Sequence, residues 1–270
     1  MSAPTATVLD RILSETRQQL ERRKHELPLA QLQQAAATRG VARRLYNALS
    51  APGIGVIAEF KRRSPSAGAL HENPDLTQIV RAYEQGGAVA VSVLTEGPNF
   101  GGALADLQAA GAACGLPLLR KDFIVDPYQL YEALNAGAAA VLLIVAALDR
   151  PTLASFHAEA LALGLDALVE VHDRAELEIA LELGADIIGV NNRDLRDFSV
   201  DVQRTESLME HVPSGVLVVS ESGIAQPEQL RRLQERGVQA VLVGETLMRS
   251  PDPAAALSEL KSFRHNSGHI

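Results

Sequence analysis

The sequence predicts an α/β protein: a closed (β/α)8 TIM barrel with an N-terminal helical extension. The prediction rests on eight apolar runs of strand length, on glycines that end helical segments just before seven of these runs, and on the regular spacing of those glycines. Of the 270 residues, 47% are hydrophobic and 21% are charged, so the chain can bury a sizeable core.

Each repeat contains one predicted helix and one predicted strand. The glycines that mark the repeats lie 20 to 31 residues apart, which suits one strand, one helix and two short loops; they are Gly87, Gly115, Gly137, Gly164, Gly184, Gly215 and Gly237. The apolar runs cover residues 54–60, 88–94, 116–119, 138–145, 165–171, 187–190, 216–219 and 240–243. They are almost continuous in Val, Ile, Leu and Ala, as in parallel strands buried on both faces.

An open doubly wound sheet would also alternate strands and helices. The regular repeat and the lack of a G-x-G-x-x-G sequence after an early strand favour the closed barrel. We therefore predict a barrel over residues 54–262, a helical extension over 1–53 packed on the barrel, and a frayed tail over 263–270. Residues 8–24 carry apolar side chains at helical spacing, which predicts an amphipathic helix laid on the barrel or across its mouth.

Charge and cysteine content restrict the partners. With 25 Lys and Arg against 33 Asp and Glu, the net charge of -8 repels nucleic acid and anionic membranes, so we expect neither as a partner. The single cysteine, Cys114, excludes an intramolecular disulfide and a Cys-rich metal site. The N-terminus has no apolar core of a secretion signal, and we expect a cytoplasmic monomer or weak homodimer.

Charged side chains follow the predicted strands at the end where barrel active sites lie. Strand alternation places Glu59 and Lys61 together at the end of the first strand, and Lys121 at the inner face of the third. We expect the like charge of Lys61 and partial burial to lower the pKa of Lys121, which would suit proton donation near neutral pH. A solvated ion pair is the alternative interpretation of Glu59 and Lys61.

The fifth strand ends with two ionisable residues in the same phase, Glu170 and His172. We interpret Glu170 as an inward-facing group. His172 is interpreted as a loop residue that precedes a helix with a capping box formed by Asp173 and Glu176, and not as a catalytic group.

The seventh and eighth strands end in glycines where barrels commonly bind phosphate through backbone N–H groups, at Gly223 and Gly244. Each glycine alone indicates only a turn. Four strand ends together supply an ionisable and hydrogen-bonding set: Glu59, Lys61, Lys121, Glu170, Asn191 and Arg193. The sequence has no metal-ligand spacing, no Walker motif and no histidine partner for Ser222, so it predicts acid–base chemistry without metal or cofactor on a small phosphorylated substrate.

Six segments resemble the indole-3-glycerol phosphate synthase family: residues 57–68 (I-A-E-F-K-R-R-S-P-S-A-G), 94–96, 119–123, 169–171, 189–195 and 221–224. The resemblance spans residues 8–248. It implies a (β/α)8 barrel with an extra N-terminal helical segment, and a cofactor-free reaction of tryptophan biosynthesis. In that reaction 1-(2-carboxyphenylamino)-1-deoxyribulose 5-phosphate closes to indole-3-glycerol phosphate with release of CO2 and water.

The resemblance also implies a role for each candidate residue. Lys121 is expected to protonate the ribulose carbonyl oxygen, Lys61 to hold the carboxylate and donate a proton in the dehydration, and Glu170 to act as the base. The catalytic candidates are Glu59, Lys61, Lys121, Glu170, Asn191 and Ser222. The candidates for substrate binding, including the phosphate, are Ser64, Arg193, Gly223, Gly244 and Glu245 through its backbone. Two departures from the family pattern are Ala67, where many relatives carry Lys, and Glu245, where some carry Ser.

Two alternative functions are open. A phosphoribosylanthranilate isomerase-like enzyme would need a cysteine base, but Cys114 precedes the third strand and so belongs at the opposite end of the barrel. A non-catalytic barrel that binds a sugar phosphate and serves as a scaffold would have no need for two lysines and two glutamates at one mouth.

Overall fold

A computed structural model describes residues 7–37, 45–194 and 199–262 of the chain. Eight parallel strands close into a barrel in which each strand pairs with its neighbours along the chain and the first pairs with the last, which confirms the predicted fold class. The strands are β1 (Gly55–Phe60), β2 (Ala90–Leu94), β3 (Leu118–Lys121), β4 (Ala140–Ile144), β5 (Asp166–Val171), β6 (Ile187–Asn191), β7 (Leu217–Glu221) and β8 (Ala240–Val243).

Three helices precede the barrel: α1 (Val8–Glu26), α2 (Leu29–Ala36) and α3 (Leu45–Leu49). The helices that follow β1 are α4 (Leu76–Gln85), α5 (Leu104–Ala113), α6 (Tyr128–Asn135), α7 (Arg150–Ala162), α8 (Arg174–Glu182), α9 (Gln203–Met209), α10 (Pro227–Glu235), α11 (Glu245–Met248) and α12 (Pro253–Leu260). Within the described ranges, none of the helices combines the length and the hydropathy that a membrane crossing requires.

Six of the seven repeat glycines lie two residues after the last residue of a helix, as predicted, whereas Gly215 lies six residues after Met209, where α9 ends. Six of the seven have a positive φ between 77° and 97°, and Gly115 is the exception. The strands β2 and β4 begin two residues later than the apolar runs suggest, because Ala88 and Ala138 still donate hydrogen bonds to the preceding helices. A short antiparallel ribbon in the loop after β1, Arg63–Ser64 with Gly68–Ala69, was not expected from the sequence.

The N-terminal extension contacts both ends of the barrel. The predicted amphipathic helix is α1, and it meets the loops that follow β2 and β3: Asn99 Nδ2 donates to Glu15 Oε2 at 3.1 Å, and Lys24 Nζ lies 2.7 Å from Asp126 Oδ2. Helix α3 lies at the opposite end, where the N–H of Tyr46 donates to the side chain of Asp166, the first residue of β5. The predicted tail over 263–270 lies outside the described residues.

The barrel interior changes from apolar to charged along the strands. Inward-facing Ile57, Leu119, Leu168 and Leu217 are buried together in the lower layers. Toward the carboxyl ends of the strands the inward positions become glutamate, lysine and asparagine. A polar cluster therefore lies on a packed apolar floor, and the fold brings its side chains together from five different strands.

Candidate active site

A cavity of about 430 Å³ opens at the carboxyl ends of the strands. One side is apolar, with Phe100 and Phe123 at 6.2 Å between ring centroids, next to Leu142 and Ile144. The other side is charged. All the residues predicted from the sequence line this one cavity: Glu59, Lys61, Ser64, Lys121, Glu170, Asn191, Arg193, Ser222, Gly223, Gly244 and Glu245.

Lys121 at the end of β3 is held by two carboxylates. Its Nζ lies 3.1 Å from Glu170 Oε2 and 3.2 Å from Glu221 Oε2. Burial alone would lower the pKa of Lys121, but the negative charges of Glu170, Glu221 and Glu59 outweigh burial and raise it above the usual range. The expectation of a lowered pKa was wrong, because the closest charges to this ammonium are carboxylates rather than the second lysine.

Lys61 is paired instead with Glu59, the other charged residue at the end of β1. The Lys61 Nζ to Glu59 Oε1 distance is 2.6 Å, and the Glu59 side chain is almost fully buried. Gly244 makes room for this carboxylate, since a Cβ atom at residue 244 would lie 2.5 Å from Glu59 Oε1. The Glu59–Lys61 pair lines the cavity and is largely buried, so it is not the solvated ion pair given above as the alternative interpretation.

Glu221 is the residue that sequence reasoning missed. It ends β7, it is buried, and its pKa is raised to about 7 by burial and by the charge of Glu170, against the opposing effect of Lys121. Its Oε1 atom is buried and has no hydrogen-bond partner among the residues that the structure describes. The signal was available, because Glu221 is in phase with Leu217 and Val219, which alternation places inside the barrel.

Glu170 is the last but one residue of β5, and positively charged side chains lie on two sides of it. Burial alone would raise its pKa, but the charges of Lys121 and His172 and a hydrogen bond from Asn191 lower it, so the carboxylate stays ionised. His172 Nε2 lies 3.4 Å from Glu170 Oε1. His172, interpreted above as a loop residue, is therefore a neighbour of the site.

The capping box predicted for α8 forms only in part. The side chain of Asp173 accepts the N–H of Glu176 at 3.0 Å, as predicted. The Glu176 carboxylate, however, accepts the backbone N–H of His172 at 2.8 Å and contacts its ring Nδ1 at 3.0 Å. The second half of the box is thus directed one residue earlier, at the histidine.

Asn191 is fixed by its neighbours at the end of β6. Its Oδ1 atom accepts the Ser222 hydroxyl at 2.9 Å and the backbone N–H of Arg193 at 3.0 Å. Ser222 has a φ of 68°, the one positive φ of a non-glycine residue in the described part of the chain, and Gly223 follows with 79°. Such strain is retained where the surrounding structure requires it, and here both residues line the cavity.

The other predicted phosphate contacts lie on two rims of the cavity. The Ser64 hydroxyl accepts the N–H of Ala67 at 3.1 Å within the loop after β1. Glu245 begins the short helix α11, and its carboxylate is paired with Arg249 at 3.0 Å. The Glu245 side chain therefore has a partner of its own, which leaves the backbone as the part expected to contact an anion.

A buried arginine anchors the strand that carries Lys121. Arg120 is fully buried and binds Asp122 Oδ2 at 2.9 Å and Glu132 Oε2 at 3.1 Å. Glu132 also binds Arg23 Nε of α1 at 3.0 Å. This network ties the end of β3 to α6 and to the N-terminal extension.

Two further observations concern alternative chemistries. Cys114 follows α5 and precedes β3, so it lies at the end of the barrel opposite to the cavity, and burial raises the pKa of its thiol. Across the ranges that the structure describes, no three His, Cys, Asp or Glu side chains are grouped as metal ligands would be.

Comparison with known proteins identifies the family. The family model described as indole-3-glycerol phosphate synthase matches residues 9–260. The chain belongs to the indole-3-glycerol phosphate synthase family. It is 49% identical over 253 residues to "Indole-3-glycerol phosphate synthase 2" of Streptomyces coelicolor, covering 94% of this chain and 98% of that one. It is 47% identical over 257 residues to "Indole-3-glycerol phosphate synthase" of Aromatoleum aromaticum, with the same coverages of 94% and 98%.

Solved structures of other enzymes share the family's barrel. A thiamine phosphate pyrophosphorylase from Pyrococcus furiosus matches with a TM-score of 0.59 at 19% identity, covering 81% of this chain and 96% of that one. An N-acetylmannosamine-6-phosphate 2-epimerase from Clostridium perfringens matches with a TM-score of 0.60 at 17% identity, covering 77% and 93%. At these identities the likeness concerns the fold alone.

Proposed function

We propose that this chain is an indole-3-glycerol phosphate synthase that converts 1-(2-carboxyphenylamino)-1-deoxyribulose 5-phosphate to indole-3-glycerol phosphate, CO2 and water. Membership of the family is one support. The observation that carries the proposal is the cavity itself, which sets two lysine–carboxylate groups opposite an apolar wall that suits an aromatic ring.

Ring closure requires an acid at the ribulose carbonyl, because the aromatic carbon that bears the carboxylate attacks the carbonyl carbon and leaves an alkoxide. Lys121 is the proposed acid. Its raised pKa keeps the ammonium protonated in the free enzyme, and the adjacent Glu170 and Glu221 carboxylates hold it in place. Donation to a developing alkoxide is favourable even from such an ammonium, since an alkoxide is the stronger base.

Loss of CO2 then restores the aromatic ring, and loss of water completes the indole. Lys61 is the proposed donor of the proton with which the hydroxyl leaves as water. A second proton is lost from the methylene carbon next to the nitrogen. Glu170 is the proposed base for that proton, because its lowered pKa keeps it ionised. Glu59 holds Lys61, and Asn191 supports Glu170 through a hydrogen bond.

Substrate binding uses the two ends of the cavity. The aryl ring is proposed to rest against Phe100 and Phe123, and its carboxylate against Lys61. Arg193 and Asn191 are proposed to contact the anthranilate portion or the ribulose hydroxyls. The phosphate is assigned to the loops after β1, β7 and β8, where Ser64, Ser222, Gly223, Gly244 and the backbone of Glu245 line the cavity.

A steady-state assay with purified protein tests the proposal. The synthase function predicts indole fluorescence and CO2 release without added metal or nucleotide. A scaffold that only binds sugar phosphates would bind the substrate in calorimetry and give no indole. That result would remove the synthase function while leaving the fold and the phosphate site in place.

A further inference from the structure

A buried histidine stands behind the proposed base. His172 follows the end of β5, and its side chain is only 10% exposed. Its two ring nitrogens face two carboxylates: Nδ1 is 3.0 Å from Glu176 Oε2, and Nε2 is 3.4 Å from Glu170 Oε1. The geometry of Nε2 is short of a full hydrogen bond, and this buried atom has no other partner in the described structure.

Helix α8 fixes the histidine. The Glu176 carboxylate accepts both the backbone N–H of His172 at 2.8 Å and its ring Nδ1–H, and the N–H of Glu176 is itself held by Asp173 at 3.0 Å. A carboxylate on Nδ1 keeps a proton there, so that Nε2 presents an N–H to Glu170 only when the ring is charged. The ring is therefore oriented with Nε2 toward Glu170 Oε1, the carboxylate oxygen that Lys121 does not contact.

The surrounding charges favour the imidazolium. The titratable groups around it are Glu170 on β5, Glu176 on α8 and Glu221 on β7, with Lys121 of β3 beyond Glu170. Burial alone would lower the pKa of His172, but the hydrogen bond to Glu176 and the three carboxylate charges raise it.

We propose that His172, held by Glu176, is a positioning residue that fixes the Glu170 carboxylate between an imidazolium on Oε1 and the Lys121 ammonium on Oε2. This proposal rests on the proposed function only for its kinetic consequences. The contacts of His172 with Glu176 and Glu170 are a property of the fold, and their effect on His172 can be measured without substrate.

Substitution of the histidine tests the kinetic consequence. In His172→Ala we expect kcat to fall about tenfold, the scale of losses when a group that orients a reacting side chain is removed, with KM within about twofold. Because the charge of His172 lowers the pKa of Glu170, its removal should move the acid limb of kcat/KM upward by about one pH unit. His172→Gln should recover part of kcat through its amide N–H but keep the displaced limb, since it carries no charge.

Two glutamates of α8 provide a matched pair. Glu176→Gln removes the charge that holds the ring, so the pKa of His172 should fall, and kcat and the acid limb should change in the same direction as in His172→Ala. Glu178→Gln, on the same helix but 58% exposed and paired with Arg174, should behave as the wild type. Nitrogen-15 NMR of labelled histidine, assigned with His172→Gln, reads the His172 titration directly.

The outcomes separate the two proposals. Wild-type protein without turnover would contradict the synthase function. The NMR titration in Glu176→Gln would still show whether Glu176 holds the charged form of His172. If His172 titrates identically in wild type, Glu176→Gln and Glu178→Gln, Glu176 does not hold the charged form of His172 as proposed. If His172→Ala retains wild-type kcat and an unmoved acid limb, His172 does not position the base.

Discussion

Replacing Lys121 with Met tests the centre of the site, because one ammonium serves two buried carboxylates. The Glu170 and Glu221 side chains are each 2% exposed, and both depend on Lys121 Nζ at 3.1 and 3.2 Å. Removing one partner of a buried ion pair costs about 3–5 kcal/mol, since the remaining charge is left without compensation. We therefore expect Lys121→Met to lower the free energy of unfolding by about 3 kcal/mol at pH 8.

The destabilisation caused by Lys121→Met should be larger at higher pH. The pKa of Glu221 is raised to about 7, so a carboxyl that is ionised in the native state at pH 8 is largely protonated at pH 6. Protonating it at one unit above its pKa costs about 1.4 kcal/mol. The destabilisation should accordingly be smaller at pH 6 than at pH 8 by about 1 kcal/mol, and Lys121→Met combined with Glu221→Gln should remove most of that difference.

Urea unfolding at the two pH values measures the stability, and single-turnover fluorescence measures the chemistry. Loss of the acid should reduce kcat about 10²- to 10⁴-fold. Calorimetric binding of the substrate should persist, because the proposed phosphate contacts lie on the loops after β1, β7 and β8 and do not include Lys121. Lys261→Met is the control, since Lys261 Nζ donates to the Gly87 carbonyl, before β2 at the far end of the barrel. Wild-type turnover in Lys121→Met, or equal destabilisation at both pH values, would refute this reasoning.

Three further predictions concern other parts of the molecule. Gly244→Ala should reduce kcat about tenfold or more, because its Cβ would lie 2.5 Å from Glu59 Oε1 and push that carboxylate off Lys61; steady-state kinetics with unchanged kcat would contradict this. Arg120→Met should lower the unfolding free energy by about 3 kcal/mol in urea titration, since Asp122 and Glu132 lose their buried partner, and an unchanged midpoint would argue against it. Cys114→Ser should leave kcat and KM unchanged, whereas a cysteine-based reaction would be abolished.

Local sequence patterns were sufficient to predict the barrel and most of the charged side chains at its mouth. Glycines with positive φ end the helices, and runs such as Ala140–Ile144 are buried on both faces, so short-range information specifies each element. Closure at the same end then brings Glu59, Lys121 and Glu170 together, because every parallel strand ends at that mouth.

The electrostatics of the site were not predictable in the same way. The pKa of Lys121 depends on which side chains lie within about 4 Å, and strand phase gives only the face of the sheet. Glu221 follows the alternation rule but was not selected. His172 also follows the alternation rule, but it was assigned to the loop before a capped helix. The Glu176 carboxylate accepts the N–H of His172 instead of the N–H of Asp173, and this competition between nearby donors is not visible in the sequence.

The most direct test of the account is turnover of 1-(2-carboxyphenylamino)-1-deoxyribulose 5-phosphate by the purified wild-type protein, followed by fluorescence. The chain contains no tryptophan, so the product is read against little background. We predict an indole signal with one CO2 released per substrate in a buffer that contains no added metal or nucleotide. Substrate that binds in calorimetry but yields neither indole nor CO2 would contradict the assignment of Lys61, Lys121 and Glu170 to proton transfer.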